Sequence, residues 1–333
     1  MNIALKAAGL TVALAIGAGM AAASPIINVV YDPTVTFTSA DKTQIQDAIN
    51  FFTSNITSTF DVTIAFGGQG GGGASTTTFS DLVTYSAYYS ALVANSSGDA
   101  TDTAAIASLG GASATNPVTG SSDVKIRPTL AAALGIGSQV SDTFAACDNL
   151  TANACIQIGT DVLNASGAPM GSLMGTVEHE IDEVLGTSSA LPGGGGTLPT
   201  DPSTADLFRY SASGVRSFAF NSSTDVPCTG TPTAYFSING GATNLNDYNN
   251  CNNGGDYGDW IYTDGLQVQD AFGPDDVASS LSLNSPEVKL LDAVGYNFGT
   301  PAAVPEPSSV VLLLTGLAVI LVLRRRLADQ PRS

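Results

Sequence analysis

Glu178-His179-Glu180-Ile181-Asp182-Glu183-Val184-Leu185-Gly186 is the stretch on which the reading of this chain turns. It holds three of the five glutamates and the single histidine of a 333-residue sequence, a concentration that dispersed surface charge does not produce. The spacing predicts a helix over Met174–Leu185, with Val177, Ile181, Val184 and Leu185 on its apolar face. Gly186 then ends it in the C′ position. On that helix His179 and Glu183 are i and i+4 and stack on one face, as two side chains do when one helix grips a metal ion. Glu180 lies about 100° further round, where its carboxylate can serve as general base toward a water on that metal. The competing reading is an acidic amphipathic helix whose carboxylates are solvated.

Composition narrows the chemistry. Between Ser24 and Ala303 there are six basic residues (Lys42, Lys125, Arg127, Arg209, Arg216 and Lys289) against 27 acidic ones. Such a surface repels phosphate backbones, so no nucleic-acid partner is expected, while divalent cations are tolerated well. One histidine excludes every site that needs two or three within a chain. A Ser-His-Asp triad would have to recruit His179, and no Gly-x-Ser-x-Gly elbow is present. Cys147, Cys155, Cys228 and Cys251 are even in number and contain no CxxC. In an exported chain they favour disulfides, and of the three pairings the local ones, Cys147–Cys155 and Cys228–Cys251, are preferred.

Both ends are modular. Lys6, the small apolar run Ala7–Met20 and Ala21-Ala22-Ala23 make residues 1–23 a signal peptide, with Ser24 starting the mature chain. At the other end Val304-Pro305-Glu306-Pro307-Ser308 precedes the uncharged run Val310–Leu323 and then Arg324-Arg325-Arg326. That run is short for a free membrane span, and the arginines fit a cytoplasmic stop. The order resembles the PEP-CTERM sorting signal of Gram-negative bacteria, here residues 304–329. The resemblance implies signal peptidase and exosortase as export partners and transient residence at the inner membrane through the C-terminal helix. Release to the cell surface or medium would follow. An ordinary C-terminal anchor is the alternative.

The remainder, 24–303, reads as one α+β domain: an N-terminal part, 24–190, and a loop-rich part, 191–303. Strands are expected at Ile26–Tyr31 and Val62–Phe66, around a helix over Asp41–Ile56 that Ser39 or Asp41 caps. Gly67–Ser75, with six glycines, reads as a flexible connector; it lacks the Gly-Lys-Ser/Thr ending of a P-loop. Helices follow at Tyr85–Val93, Asp102–Leu109 and Leu130–Leu134, and Ile156–Leu163 reads as an edge strand. Beyond the Gly/Ser/Pro-rich stretch Thr187–Ser203, strands are expected at Arg216–Phe220 and Thr233–Ile238, with a turn at Asn239-Gly240. Pro286–Val294 is a closing helix. Asp247, Asn249, Asn250, Asp256 and Asp259, with Asp270, Asp275 and Asp276 beyond, offer hard oxygens suited to Ca²⁺, without EF-hand spacing. Trp260 and Tyr262 beside them read as packing residues.

The helix resembles the zincin signature His-Glu-x-x-His with Glu183 in place of the second histidine. It also fits the longer metzincin pattern, in which Gly186 follows and a third ligand would fall at Ser189. More closely, it is similar to a family of PEP-CTERM-sorted secreted metalloproteases with a His-Glu-Ile-x-Glu-Val-x-Gly core. The likeness extends to Asp206-Leu207-Phe208-Arg209-Tyr210-Ser211, Ala234–Ser237, Gly255–Trp260 and Leu291–Tyr296. It implies a zincin-like fold from Ile26 to Tyr296, Zn²⁺ as cofactor and a protein or peptide substrate, with Glu180 catalytic and His179 and Glu183 as ligands. Asp206 and Tyr210 are the candidates for the third ligand, Asp206 preferred because a carboxylate binds at neutral pH. The carboxylate second ligand makes calcium or manganese better competitors. No methionine follows Met174, so there is no Met-turn. Outside this class, the rival is a non-catalytic surface or matrix protein whose acidic surface binds calcium or exopolymer, or a zincin that has lost activity.

Overall fold

A four-stranded sheet carries the first half of the chain. The computed structural model describes residues 24–299 apart from 138, 164–171, 194, 263–265 and 273–280. The segments expected to be a signal peptide and a sorting signal, with Asp275 and Asp276, lie outside the described residues. In chain order the elements begin β1 (Ile26–Tyr31), α1 (Ser39–Asn55), β2 (Asp61–Gln69), β3 (Ala74–Thr78) and β4 (Asp81–Thr84). Next come α2 (Tyr85–Asn95), α3 (Ala100–Ser108), β5 (Asp123–Ile126), α4 (Pro128–Ala133), β6 (Asp142–Phe144) and β7 (Leu150–Ala152). The half closes with β8 (Ala154–Gly159), α5 (Thr160–Leu163) and α6 (Ser172–Leu185). The second half is sparse, with the short strands β9 (Arg209–Ala212), β10 (Val215–Arg216), β11 (Tyr235–Phe236) and β12 (Asn246–Asp247) before α7 (Pro286–Val294). The architecture is mixed α+β.

The main sheet runs β1-β2-β8-β3, with β1, β2 and β8 parallel and β3 antiparallel to β8. Two expectations are corrected here. Gly67–Ser75 is no connector: β2 continues through Gln69, only residues 70–73 turn, and β3 returns as the sheet's edge. Glycine disfavours strands when it stands alone, but here the ladder to β8 supplies the order. Ile156–Leu163, conversely, is not an edge. Its strand is β8, hydrogen-bonded on both sides, and from Thr160 the chain is helical. The strands expected at Arg216–Phe220 and Thr233–Ile238 shrink to two residues each, because few partners are available to extend them.

One face of the sheet receives α1 and α6. Ile45, Ile49 and Phe52 of α1, Val62, Ile64 and Phe66 of β2, Ile156 and Ile158 of β8, and Val177, Ile181, Val184 and Leu185 of α6 form one buried core with Leu290, Leu291 and Val294 of α7. A buried aliphatic side chain contributes about 1.5–3 kcal/mol, so this shared core fixes where α6 sits. The N-cap of α1 is Thr38 in place of the expected Ser39 or Asp41, and Asp41 completes a capping box with it. On the opposite face Ala65 and Cys155 pack with Phe144 and Ala152, and the Cys147–Cys155 disulfide ties that corner to the sheet. Cys228 pairs with Cys251. Among the described residues no helix is long and apolar enough to cross a membrane.

Candidate metal centre

Every acid of the α6 motif is buried. Glu178 and Asp182 are fully enclosed, and Glu180 and Glu183 are 5% and 6% exposed. The reading in which these carboxylates form a solvated face therefore does not describe the helix. Enclosing so many carboxyls is costly unless they are protonated, hydrogen-bonded or matched by a cation. Both oxygens of Asp182 lack hydrogen-bond partners, and burial with Glu287 and Glu178 nearby raises its pKa well above the usual carboxylate value.

Gly186, at φ +131°, ends α6 as expected, and the Gly186 and Thr187 amides both donate to the Asp182 carbonyl. The chain then leaves through Thr187–Ser189, against which Gly258 packs. A Cβ at Gly258 would meet the Ser189 nitrogen at 2.8 Å and Ser188 Cα at 3.0 Å. This close approach brings Asp259 over the helix. Its Oδ1 lies 3.5 Å from His179 Nε2, and single donor atoms of His179, Glu183 and Asp259 all fall within 4.8 Å of one another. Donors around a tetrahedral ion of zinc's size stand ~3.3–3.5 Å apart, and the His179–Asp259 pair stands at that spacing. His179 Nδ1 is 3.0 Å from the Val268 carbonyl, a contact that suits an N–H at Nδ1 and leaves Nε2 as the nitrogen facing Asp259.

The electrostatics follow from this crowding. Burial pushes the Glu183 carboxyl up to about 7, with Asp259 adding to the rise and His179 opposing it. Asp259 is raised to about 7, again chiefly by burial. For His179 burial works downward, but Asp259, Glu180 and Glu183 outweigh it and lift the imidazole to about 10. Glu180 is raised to about 7 by burial, and the His179 charge and the Thr76 hydroxyl hold it from rising further. Thr76, on the edge strand β3, places its hydroxyl 2.7 Å from Glu180 Oε2.

Asp206 and Tyr210 lie outside this group. Asp206 accepts from the Ser189 hydroxyl (2.6 Å), the Ala190 amide (2.8 Å) and the Ser203 amide (2.9 Å), and so clamps the two ends of the Thr187–Ser203 loop together. Tyr210 is buried in β9, its ring 4.7 Å beneath the Arg216 guanidinium. Arg209, between them, is buried against the Tyr248 ring and donates to Asn250 and to the Tyr257 carbonyl. It thereby fixes the loop that carries Asp259. Of the expected calcium ligands, Asn249 bonds Asn253, Asn250 bonds the Pro232 carbonyl and Asp247 accepts from Asn244, while the Asp256 amide donates to Asp259 Oδ2 beside the histidine. Trp260 is fully buried, stacked on Phe236 and packed against the tilted Tyr248 ring, and donates to Glu287. A second acidic group, Asp99, Asp102 and Asp292, joins the start of α3 to α7.

Asp259 and Gln269 are the site residues that sequence reasoning missed as partners of His179. The signal for Asp259 lay in its position after Gly255 and Gly258, in a loop too constrained to be a solvent-exposed linker. No protein-family model, no curated protein and no solved structure matches the chain.

Proposed function

We propose that this protein is an exported, surface-directed metallohydrolase acting on peptide bonds, a zincin-like α+β enzyme in which His179, Glu183 and Asp259 hold a Zn²⁺ ion. The observation that carries this reading is the convergence of the only histidine with carboxylates from two separated segments, inside a helix whose acids are all buried. Bound there, zinc would supply Lewis acidity, polarising a carbonyl and acidifying water. The chain's own groups do the rest. Glu180 accepts a proton on its carboxylate from the attacking water and returns it to the leaving amine. Thr76 orients that carboxylate, and Val268 fixes the histidine tautomer. The outer edge of β3 lies beside Glu180, so an extended peptide has a strand to align against. Export through signal peptidase and an exosortase belongs to the same proposal, on the strength of the two terminal signals.

Elemental analysis of the dialysed mature protein tests the metal. About one zinc per chain is expected, lost in His179→Ala and Asp259→Ala and kept in Asp206→Ala. Glu180→Gln should keep the metal and lose about 10²–10⁴-fold in peptide hydrolysis. Protein without metal, or an undiminished Glu180→Gln variant, would refute the reading.

A further inference from the structure

Residues 268 and 269 engage both nitrogens of the one histidine. The Val268 carbonyl faces Nδ1, while the Gln269 amide places Nε2 3.1 Å from His179 Nε2 and 3.1 Å from Asp259 Oδ1. With the 3.5 Å between His179 and Asp259, these distances make a triangle of side-chain atoms, Gln269 Nε2 donating to Asp259, whose edges are close to the ~3.3 Å edge of a tetrahedral zinc site. Gln269 is fully buried, and its other amide end, Oε1, has no hydrogen-bond partner. An amide's two ends are interchangeable in shape, and turning this one over brings the orphaned oxygen to the point where His179 and Asp259 meet. Its backbone is held independently: the Gln269 amide donates to Glu287 Oε1, and its carbonyl accepts from the Trp260 amide. The side chain therefore starts from a fixed anchor.

We propose that Gln269 is the fourth ligand of the metal centre, through Oε1, and occupies the coordination position that a hydrolase must open. The proposal rests on the metal reading above. It makes the resting site closed, with four protein donors, so that water and a substrate carbonyl, or an inhibitor, gain the ion only when one neutral amide is displaced. A neutral amide suits that role, because it binds a cation more weakly than the carboxylates beside it.

The test uses the purified mature protein loaded with Co²⁺, whose visible absorption reports coordination, titrated with acetohydroxamate. Wild type and Gln269→Leu should each hold the metal, and the Leu variant should bind the hydroxamate at least about tenfold more tightly, since the closed fraction no longer taxes binding. Gln269→Glu, which keeps an oxygen at the same reach, should retain cobalt and bind hydroxamate no better than wild type. Equal hydroxamate affinities in wild type and Gln269→Leu, with cobalt held by both, would overturn the fourth-ligand assignment while leaving the metal site standing. A Glu variant as open as the Leu variant would overturn it as well. Failure of the wild-type protein to hold cobalt would instead remove the metal reading, and this proposal with it.

Discussion

Asp259, 76 positions from Glu183 in the chain, supplies what α6 alone lacks, an oxygen donor facing His179 Nε2 from the other side. Asp259→Asn should weaken zinc binding by at least about tenfold, as loss of a donor or of its orienting partner does; Asp206→Asn should not, and competition with a chromophoric chelator separates the two. The pH dependence of binding has a definite sign. Glu183 and Asp259 in the metal-free protein are raised to about 7, and His179 to about 10, so protons compete with the ion. Affinity should rise with pH and fall about tenfold or more per unit below pH 7, measured by the same competition at pH 5.5–8. Thr76→Val removes a hydrogen bond that holds the Glu180 pKa down. The acid limb of the hydrolysis profile should therefore move to higher pH, with zinc content unchanged.

At the scale of elements, the centre is the meeting of three pieces with different supports. Helix α6 is held by its apolar stripe in the common core, β3 by its ladder to β8, and the Asp259 loop by Arg209, Trp260 and the contact of Gly258 with Thr187–Ser189. The last support is the least tolerant, because the neighbouring atoms are backbone and cannot swing aside. Gly258→Ala should cost about 1–3 kcal/mol of stability as an overpacked contact. It should also loosen zinc binding by lifting Asp259 from the helix. Thermal unfolding with and without added zinc checks both effects.

Across the whole molecule, acids far outnumber bases, and several acids are buried. Asp292 on α7 is raised to about 8, first by burial and then by Asp99 and Asp102. An acid whose folded pKa exceeds its unfolded value binds its proton more tightly in the folded state, so its contribution is complete below about 4 and is lost as pH rises through about 8. In calcium-free buffer Asp292→Asn should raise Tm at pH 8 by about 2–4 °C, equivalent to ~1 kcal/mol, and leave it unchanged at pH 4. A Tm gain equal at both pH values would show that charge at Asp292 is not the cause.

Local features are legible in the amino-acid order by itself. The α6 helix, its Gly186 stop, the i, i+4 placement of His179 and Glu183 and the apolar face of α1 all follow from periodicity and end signals within a few residues. So does the preference for short-range disulfide partners, because nearby cysteines meet at little loop-closure cost. The edge strand hidden in a glycine run, the enclosure of the helix's acids, and the placing of Asp259 rather than Asp206 beside His179 are decided only by tertiary structure. Each depends on which distant backbone lies alongside: β8 orders β3, α7 covers Asp182, and the Arg209-anchored loop delivers Asp259. Side-chain type declares what a residue can bind, but a metal centre needs donors a few ångströms apart, and that proximity is a property of packing between segments far apart in the chain.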